Sequence, residues 1–278
     1  MTPASPVGLA TGALALAFAY TTGTPAEPSA ADLAVERFLL DATIVEDVPL
    51  ERGVTRSRRW TLEWGGERRR AVYKTVDVHV AGELRDDNLG YMQNFSDSFK
   101  YDRAAYLLDR RLGLGRVPVV VLRSKDGVPG AVIEWIEDAV DEVARNAGQG
   151  PKISPQSFQL QQSMMKLFDS LIRNDDRNIG NQLWTEDGIM RWIDHTRAFR
   201  LTRKMQKPFA DAPAQLTPRV HEELKSLEFG ELAAMLGDLM SKKRIKALLA
   251  RRDRILAKID ADLDAYGERA VYAEELAE

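Results

Sequence analysis

The chain reads as an α+β protein in two unequal parts, a small antiparallel strand-rich lobe carrying one helix and then a mostly helical lobe. Three observations predict this. Residues 58–74 and 117–136 form strand-length segments broken by Gly65-Gly66 and by "KDG"; the stretch "SFKYDRAAYLLDRRLGLG" between them has helical spacing; and beyond residue 137 the apolar period becomes that of helices. The expected organisation is a segment 1–31 outside the fold, a first lobe over 32–136, a hinge near 134–140 and a second lobe over 137–278. A cleft between two such lobes is a common place for a ligand.

Taken in order, "VGLATGALALAFAY" (7–20) is apolar and uncharged, and "TPA" and "PSA" after it offer small residues of the kind found at export-signal cleavage sites. A basic segment ahead of it is missing, and the run is shorter than the ~20 residues of a membrane span. Two readings follow: an exported or cell-envelope protein with a cleaved signal, or a cytoplasmic protein with a disordered Ala/Thr/Pro-rich extension. The fold is expected to start near Asp32. "RRWTLEW" and "RRRAVYK" flank two glycines that accept the positive φ of a primed hairpin turn, and the second strand ends at Lys74. A polar connection over 77–96 leads to a helix with Ser98 at its start, Tyr101, Ala105, Leu108 and Leu112 on one face, and Gly113 at its stop. "VPVVVLR" and "AVIEWI" make a second hairpin whose nearly continuous apolar strands suit a sheet centre. In the helical part, Pro155 takes a first-turn position, and Leu160, Met164, Leu167, Phe168 and Leu171 share a face. A short hairpin, "QLWT" to "MRWID", follows, and Leu249, Leu256, Ile259, Leu263 and Tyr266 trace a final helical stripe. Trp60, Trp64, Trp135, Trp184 and Trp192 are expected in the core.

The net charge of −3, from 39 basic and 42 acidic residues, argues against nucleic acid as a partner. The arginines at 56, 58, 59, 68, 69 and 70 are read as a solvated hairpin face rather than an anion grip. With no cysteine and only three histidines, any metal should be a hard ion on oxygen ligands; magnesium fits, with manganese as the alternative.

Between an apolar helix and a strand lies "RNDDRNIGN" (173–181), which carries more charge and hydrogen-bonding capacity than a connection needs. Phosphoryl transfer asks for a lysine on the phosphates, oxygen ligands on a metal and an acid that orients the incoming hydroxyl. Lys74 ends a strand, and Asp102 on the next helix can pair with it. Asp176 and Asn181 are five apart, the spacing of a base and a metal-binding asparagine in a kinase catalytic loop. The hairpin after them can return Asp194 to Asn181, giving the metal two protein ligands. Asp175 competes with Asp176, and register with Asn181 favours Asp176. Arg173, Asn174 and Arg177 are read as bracing the loop, and His195 as structural. The backbone of Glu134 to Ile136 lies where a hinge would bond adenine.

"YDRAAYLLDRRLGLGRVPVVVLR", "LFDSLIRNDDRNIGNQLW" and "MRWIDHTRAF" together resemble atypical kinases of the protein-kinase-like superfamily: the HipA toxin kinases, the secretory-pathway casein-phosphorylating kinases and the phosphatidylinositol 3- and 4-kinases. The resemblance spans about residues 40–260 and implies a bilobal kinase-like fold using ATP and Mg. It assigns Asp176 as the catalytic residue, Asn181 and Asp194 as metal ligands and Lys74 as the phosphate-binding lysine. Three departures accompany it: an aspartate, Asp102, where the helix acid is usually glutamate; a single glycine, Gly53, with Thr55 nearby, in the phosphate-cradling loop; and His195-Thr196 after Asp194. The expected function is transfer of the γ-phosphate to a hydroxyl on a protein, lipid or small molecule. The alternatives are a pseudokinase that binds nucleotide as a scaffold, and a nucleotidyltransferase on the same fold.

Overall fold

The computed structural model describes residues 28–50, 57–86 and 90–273. It opens on a helix, α1 (Ala30–Asp41), whose N-terminus is closed by a capping box: Ser29 Oγ accepts the Asp32 N–H and the Asp32 carboxylate accepts the Ser29 N–H. The sequence pattern predicts mostly strand from this point, and the box "SAAD" is the signal it passes over. Strands β1 (Thr43–Pro49), β2 (Arg58–Trp64) and β3 (Glu67–Lys74) follow, with Gly65 and Gly66 at φ 59° and 82° as the hairpin requires. The connection over 77–96 is structured: β4 (Asp77–His79) pairs with β7 (Ser96–Ser98), and β5 (Glu83–Asp86) with β6 (Gly90–Gln93). Helix α2 (Lys100–Arg111) buries Tyr101, Ala105 and Leu108, and ends at Gly113 with φ 65°.

Strands β8 (Val120–Lys125) and β9 (Val128–Glu134) complete an antiparallel sheet of order β1-β2-β3-β9-β8. The expectation of a central second hairpin needs correction here, because β8 lies at the sheet edge. Its Val120 and Val121 are buried, with α1 and α2 packing against the strand, while Leu122 is exposed.

Residues 135–139 lead to β10 (Val140–Asp141), α3 (Glu142–Asn146) and α4 (Pro155–Ile172), the last capped by Ser154 with Pro155 in its first turn. A 3₁₀ turn (Ile179–Asn181) opens the hairpin β11 (Gln182–Trp184) and β12 (Met190–Trp192), which forms a second sheet with β10. Helices α5 (Lys207–Ala210), α6 (Pro218–Ser226), α7 (Phe229–Leu236), α8 (Lys242–Tyr266) and α9 (Glu268–Val271) close the described chain. None of the described helices is long and apolar enough to cross a membrane.

Two packing expectations shift. The buried face of α8 is Ile245, Leu248, Ile255 and Ile259; Leu249, Leu256 and Leu263 sit at its margin and Tyr266 is exposed. Trp60, Trp184 and Trp192 are fully buried, whereas Trp64 is 46% exposed at the hairpin tip. The arginine-rich hairpin pairs with its own neighbourhood, Arg58 with Asp47, Arg59 with Glu46, Arg68 with Glu63, Arg69 with Glu67 and Arg70 with Glu137, as a solvated face does. Arg56 lies outside the described residues.

Candidate active site

The end of β3 places Lys74 under the sheet, 7% exposed. Its Nζ lies 3.2 Å from Oδ2 of Asp102 on α2 and 2.8 Å from Oδ1 of Asp194. The shorter aspartate therefore reaches the lysine. Asp102 is held in turn by the His195 N–H, 2.7 Å from its Oδ1. Burial by itself would lower the Lys74 pKa, but Asp102 and Asp194 outweigh it and raise it. Burial would likewise raise the Asp102 carboxyl, and Lys74 and His195 instead bring it down to about 2. Lys74 is thus a permanent cation fixed between two carboxylates.

Lys74 forms one end of a cleft of about 440 Å³, within the range of small-molecule sites. Val72 and Ile133 from the sheet, Leu50 just after β1, Leu183 from the second hairpin and Ile193 just after it give it apolar walls; Asn181 and Asp194 add oxygen-bearing groups. Glu134 and Ile136 also line it. The Glu134 side chain is committed elsewhere, its carboxylate accepting the Val119 N–H at 3.2 Å, and the Trp135 N–H donates to the Arg70 carbonyl at 3.4 Å. Gly53 and Thr55 lie outside the described residues, although Leu50 and Ser57, which flank their segment, both line the cleft.

The loop 173–181 turns on local chemistry. Arg173 ends α4 in the left-handed conformation, φ 53°, and its guanidinium caps the Lys204 and Met205 carbonyls. Asp175 is spent on Arg173 and Gln206, which makes it a brace. Arg177, 8% exposed, uses all five of its N–H donors: two on Asp169 of α4, one each on the Asn181 and Ile193 carbonyls and one on His195 Nε2. Asp169 is itself held by Asn174 at 3.1 Å. The Ile193 N–H bonds the Asn181 carbonyl at 3.2 Å, so the hairpin folds back and sets Asp194 beside Asn181.

Asp176 is not among the residues lining the cleft. Its side chain is 44% exposed, and Oδ2 is 2.9 Å from Nη1 of Arg197. Burial raises its pKa, Arg197 opposes this, and Asp194 and Asp97 add to the rise. Arg197 reaches on to Asp97 Oδ2 at 2.9 Å. Sequence reasoning passes over Asp97, Arg197 and Asp169; Asp97 and Asp169 each stand as a lone charge in an apolar or small-residue run, as in "FDSLI", and Arg197 carries no such mark.

For a metal ion the donor set is small. Among the described residues no group of three or more Asp, Glu, His or Cys gathers to hold one. Asn181 and Asp194 both line the cleft, and the contacts made to the Asp194 carboxylate by described residues fall on Oδ1. The second carboxylate oxygen and the Asn181 amide oxygen, on one wall, are of the type that fits a hard ion whose remaining ligands come from phosphate and water.

No family model matches the chain, and no curated protein matches it. Solved structures do. The Golgi casein kinase aligns over 87% of this chain and 77% of its own, at 16% identity and a TM-score of 0.63. The hydra Fam20 structure determined with sugar aligns over 87% and 92%, at 16% identity and a TM-score of 0.65. The Helicobacter pylori proinflammatory kinase CtkA aligns over 84% and 99%, at 12% identity and a TM-score of 0.50. The chain has the bilobal fold of the atypical kinases.

Proposed function

We propose that the protein is an ATP- and divalent-metal-dependent phosphotransferase that moves the γ-phosphoryl group to a hydroxyl acceptor. The observation that carries this is Lys74, buried and held between Asp102 and Asp194 at the polar end of an apolar-walled cleft that also presents Asn181. Adenine would lie between Val72 and Leu50 on one side and Leu183 and Ile193 on the other, with hinge backbone from Glu134 and Ile136 at its edge. Lys74 would transfer its Nζ contacts from Asp194 to phosphate oxygens while Asp102 keeps it placed and charged. Asn181 and Asp194 would hold magnesium or manganese; a structure of the Golgi casein kinase contains Mn and ADP. The ion would neutralise charge across the phosphates. Asp176 would accept the hydrogen bond of the incoming hydroxyl. A protein hydroxyl is the acceptor to test first, given the casein kinase likeness, with lipid and small-molecule hydroxyls next. An exported location is proposed on the same likeness.

The test is thermal unfolding with and without ATP and Mg²⁺ or Mn²⁺, followed by label transfer. At a hundred times its Kd, a ligand adds about 2.7 kcal/mol. Wild type should show that metal-dependent shift and Asp194→Ala should lose it. Asp176→Ala should keep the shift and lose turnover by roughly 10²-fold or more. Label retained from the α-phosphate would indicate nucleotidyl transfer, and binding without turnover a scaffold; no shift with any nucleotide would sink the reading.

A further inference from the structure

None of the described residues of the 77–98 segment lines the cleft, yet its last strand reaches the proposed catalytic residue. Asp97 of β7 is 4% exposed. Its Oδ2 takes Nε of Arg197, and Nη1 of the same guanidinium takes Oδ2 of Asp176, both at 2.9 Å. The guanidinium is 5.8 Å from the Phe95 ring centroid. The backbone ties the same pieces together: the Ser98 N–H donates to the Thr196 carbonyl at 2.8 Å, and Arg244 of α8 spans the Phe199 carbonyl at 2.7 Å and Ser96 Oγ at 3.1 Å. Strand β7 and residues 196–199 therefore form one unit, with Arg197 projecting from it to Asp176.

A second feature of Asp97 asks for an explanation. Its other oxygen, Oδ1, is buried and makes no hydrogen bond. A buried carboxylate oxygen without a partner is costly, and an apolar residue would fill the same strand position at less expense. What the carboxylate supplies is an anchor for one edge of a guanidinium whose other edge faces Asp176. A planar fork serves two carboxylates at directions fixed by its own geometry, whereas a lysine's ammonium, free to rotate, does not set those directions.

We propose that Arg197, anchored by Asp97, is a positioning residue for Asp176, so that the β4–β7 element sets the orientation of the catalytic carboxylate. The proposal rests on the phosphotransferase reading above. In the step it serves, the acceptor oxygen forms a bond to the γ-phosphorus and the bond from that phosphorus to the β–γ bridging oxygen breaks, releasing ADP. The hydroxyl proton passes to Asp176 Oδ1, the oxygen that Arg197 leaves open. Asp97, Asp194 and Arg197 are the charged groups that act on Asp176 there. Arg197 touches no reacting atom; it acts by fixing which oxygen of Asp176 is presented.

The experiment is steady-state ADP formation from ATP and Mn²⁺ with water as acceptor, on full-length wild type, Arg197→Gln, Arg197→Lys, Asp97→Asn and the Asp97→Asn/Arg197→Gln double variant. Misplacing a catalytic group costs about 10²-fold. Arg197→Gln should therefore lower kcat by roughly 10- to 100-fold, with KM for ATP within about 2-fold of wild type. Arg197→Lys should fall between, and the double variant should be no slower than Arg197→Gln alone. ATP-dependent thermal shifts equal to wild type verify that each variant is folded, and Asp97→Asn stands in where Arg197→Gln is not. An undiminished kcat in Arg197→Gln, a KM effect alone, or losses that multiply in the double variant would overturn the proposal while leaving the phosphotransferase reading intact. A wild type that forms no ADP would overturn both together.

Discussion

Replacing Asp102 by Asn keeps the side-chain volume and an oxygen for the His195 N–H, and puts an amide donor in place of the carboxylate oxygen facing Lys74. Breaking one side of a buried pair costs about 3–5 kcal/mol when the other charge is left alone. Lys74 retains Asp194 at 2.8 Å, so the loss should sit below that range. The carboxyl offers a second measure. Held at about 2 instead of 3.8, it contributes roughly 2 kcal/mol at neutral pH, at ~1.4 kcal/mol for each tenfold. Both routes converge on about 2–3 kcal/mol, or a Tm lower by roughly 4–10 °C for a chain of this size. Because the folded pKa lies below the unfolded one, the contribution is complete above about pH 4 and disappears as the pH falls towards 2. Because Lys74 is raised, its share is complete below its unfolded value of 10.5 and is lost only at more alkaline pH. Urea unfolding of wild type and Asp102→Asn from pH 3 to 9 should show a gap that is flat from about pH 5 to 9 and narrows at the acid end. A variant that unfolds with wild type at pH 7, or a gap that widens as the pH falls, would refute the argument.

Arg177→Gln should lower stability by about 3–5 kcal/mol, since it leaves the Asp169 carboxylate, 3% exposed, without its cation; chemical denaturation measures it. Gly130→Ala should lower Tm, because a β-carbon there would lie 2.6 Å from the Lys74 carbonyl oxygen and against the Tyr73 ring. Overpacking of this kind costs about 1–3 kcal/mol, and a Tm equal to wild type would show that β9 can give way.

The sequence pattern revealed the elements whose chemistry is local. The Gly65-Gly66 hairpin, the faces of α2 and α4 and the return of Asp194 to Asn181 all follow from spacing and turn residues. Helix α1 is hard to read because its apolar residues do not keep to one buried face, Phe38 and Leu39 being buried while Leu33 and Leu40 are exposed, and its clearest mark is the Ser29–Asp32 box. The edge position of β8 is not visible in the sequence because the apolar run that reads as a central strand is buried at Val117, Val119, Val120 and Val121, with α1 and α2 packing against β8. The constellation of Lys74, Asn181 and Asp194 was legible as an ordered set of residue types. The Asp97–Arg197–Asp176 chain was not, because it joins residues up to 100 positions apart whose pairing depends on how β7 packs against the segment after Asp194.

The full occupancy of the Arg177 donors decides where a proton can go. A guanidinium only donates, so His195 Nε2, 3.0 Å from Arg177 Nη2, must present its lone pair and the ring must carry its hydrogen on Nδ1. Burial, with Arg177 beside it, lowers the His195 pKa against the pull of Asp102, and the ring stays neutral. That tautomer closes the interior to proton relay: the one imidazole behind the site has no vacant nitrogen for a proton arriving from the loop. On the proposed mechanism, a proton accepted by Asp176 would leave by the carboxylate's own exposed side, directly to bulk water, and turnover would carry no histidine limb in its pH profile.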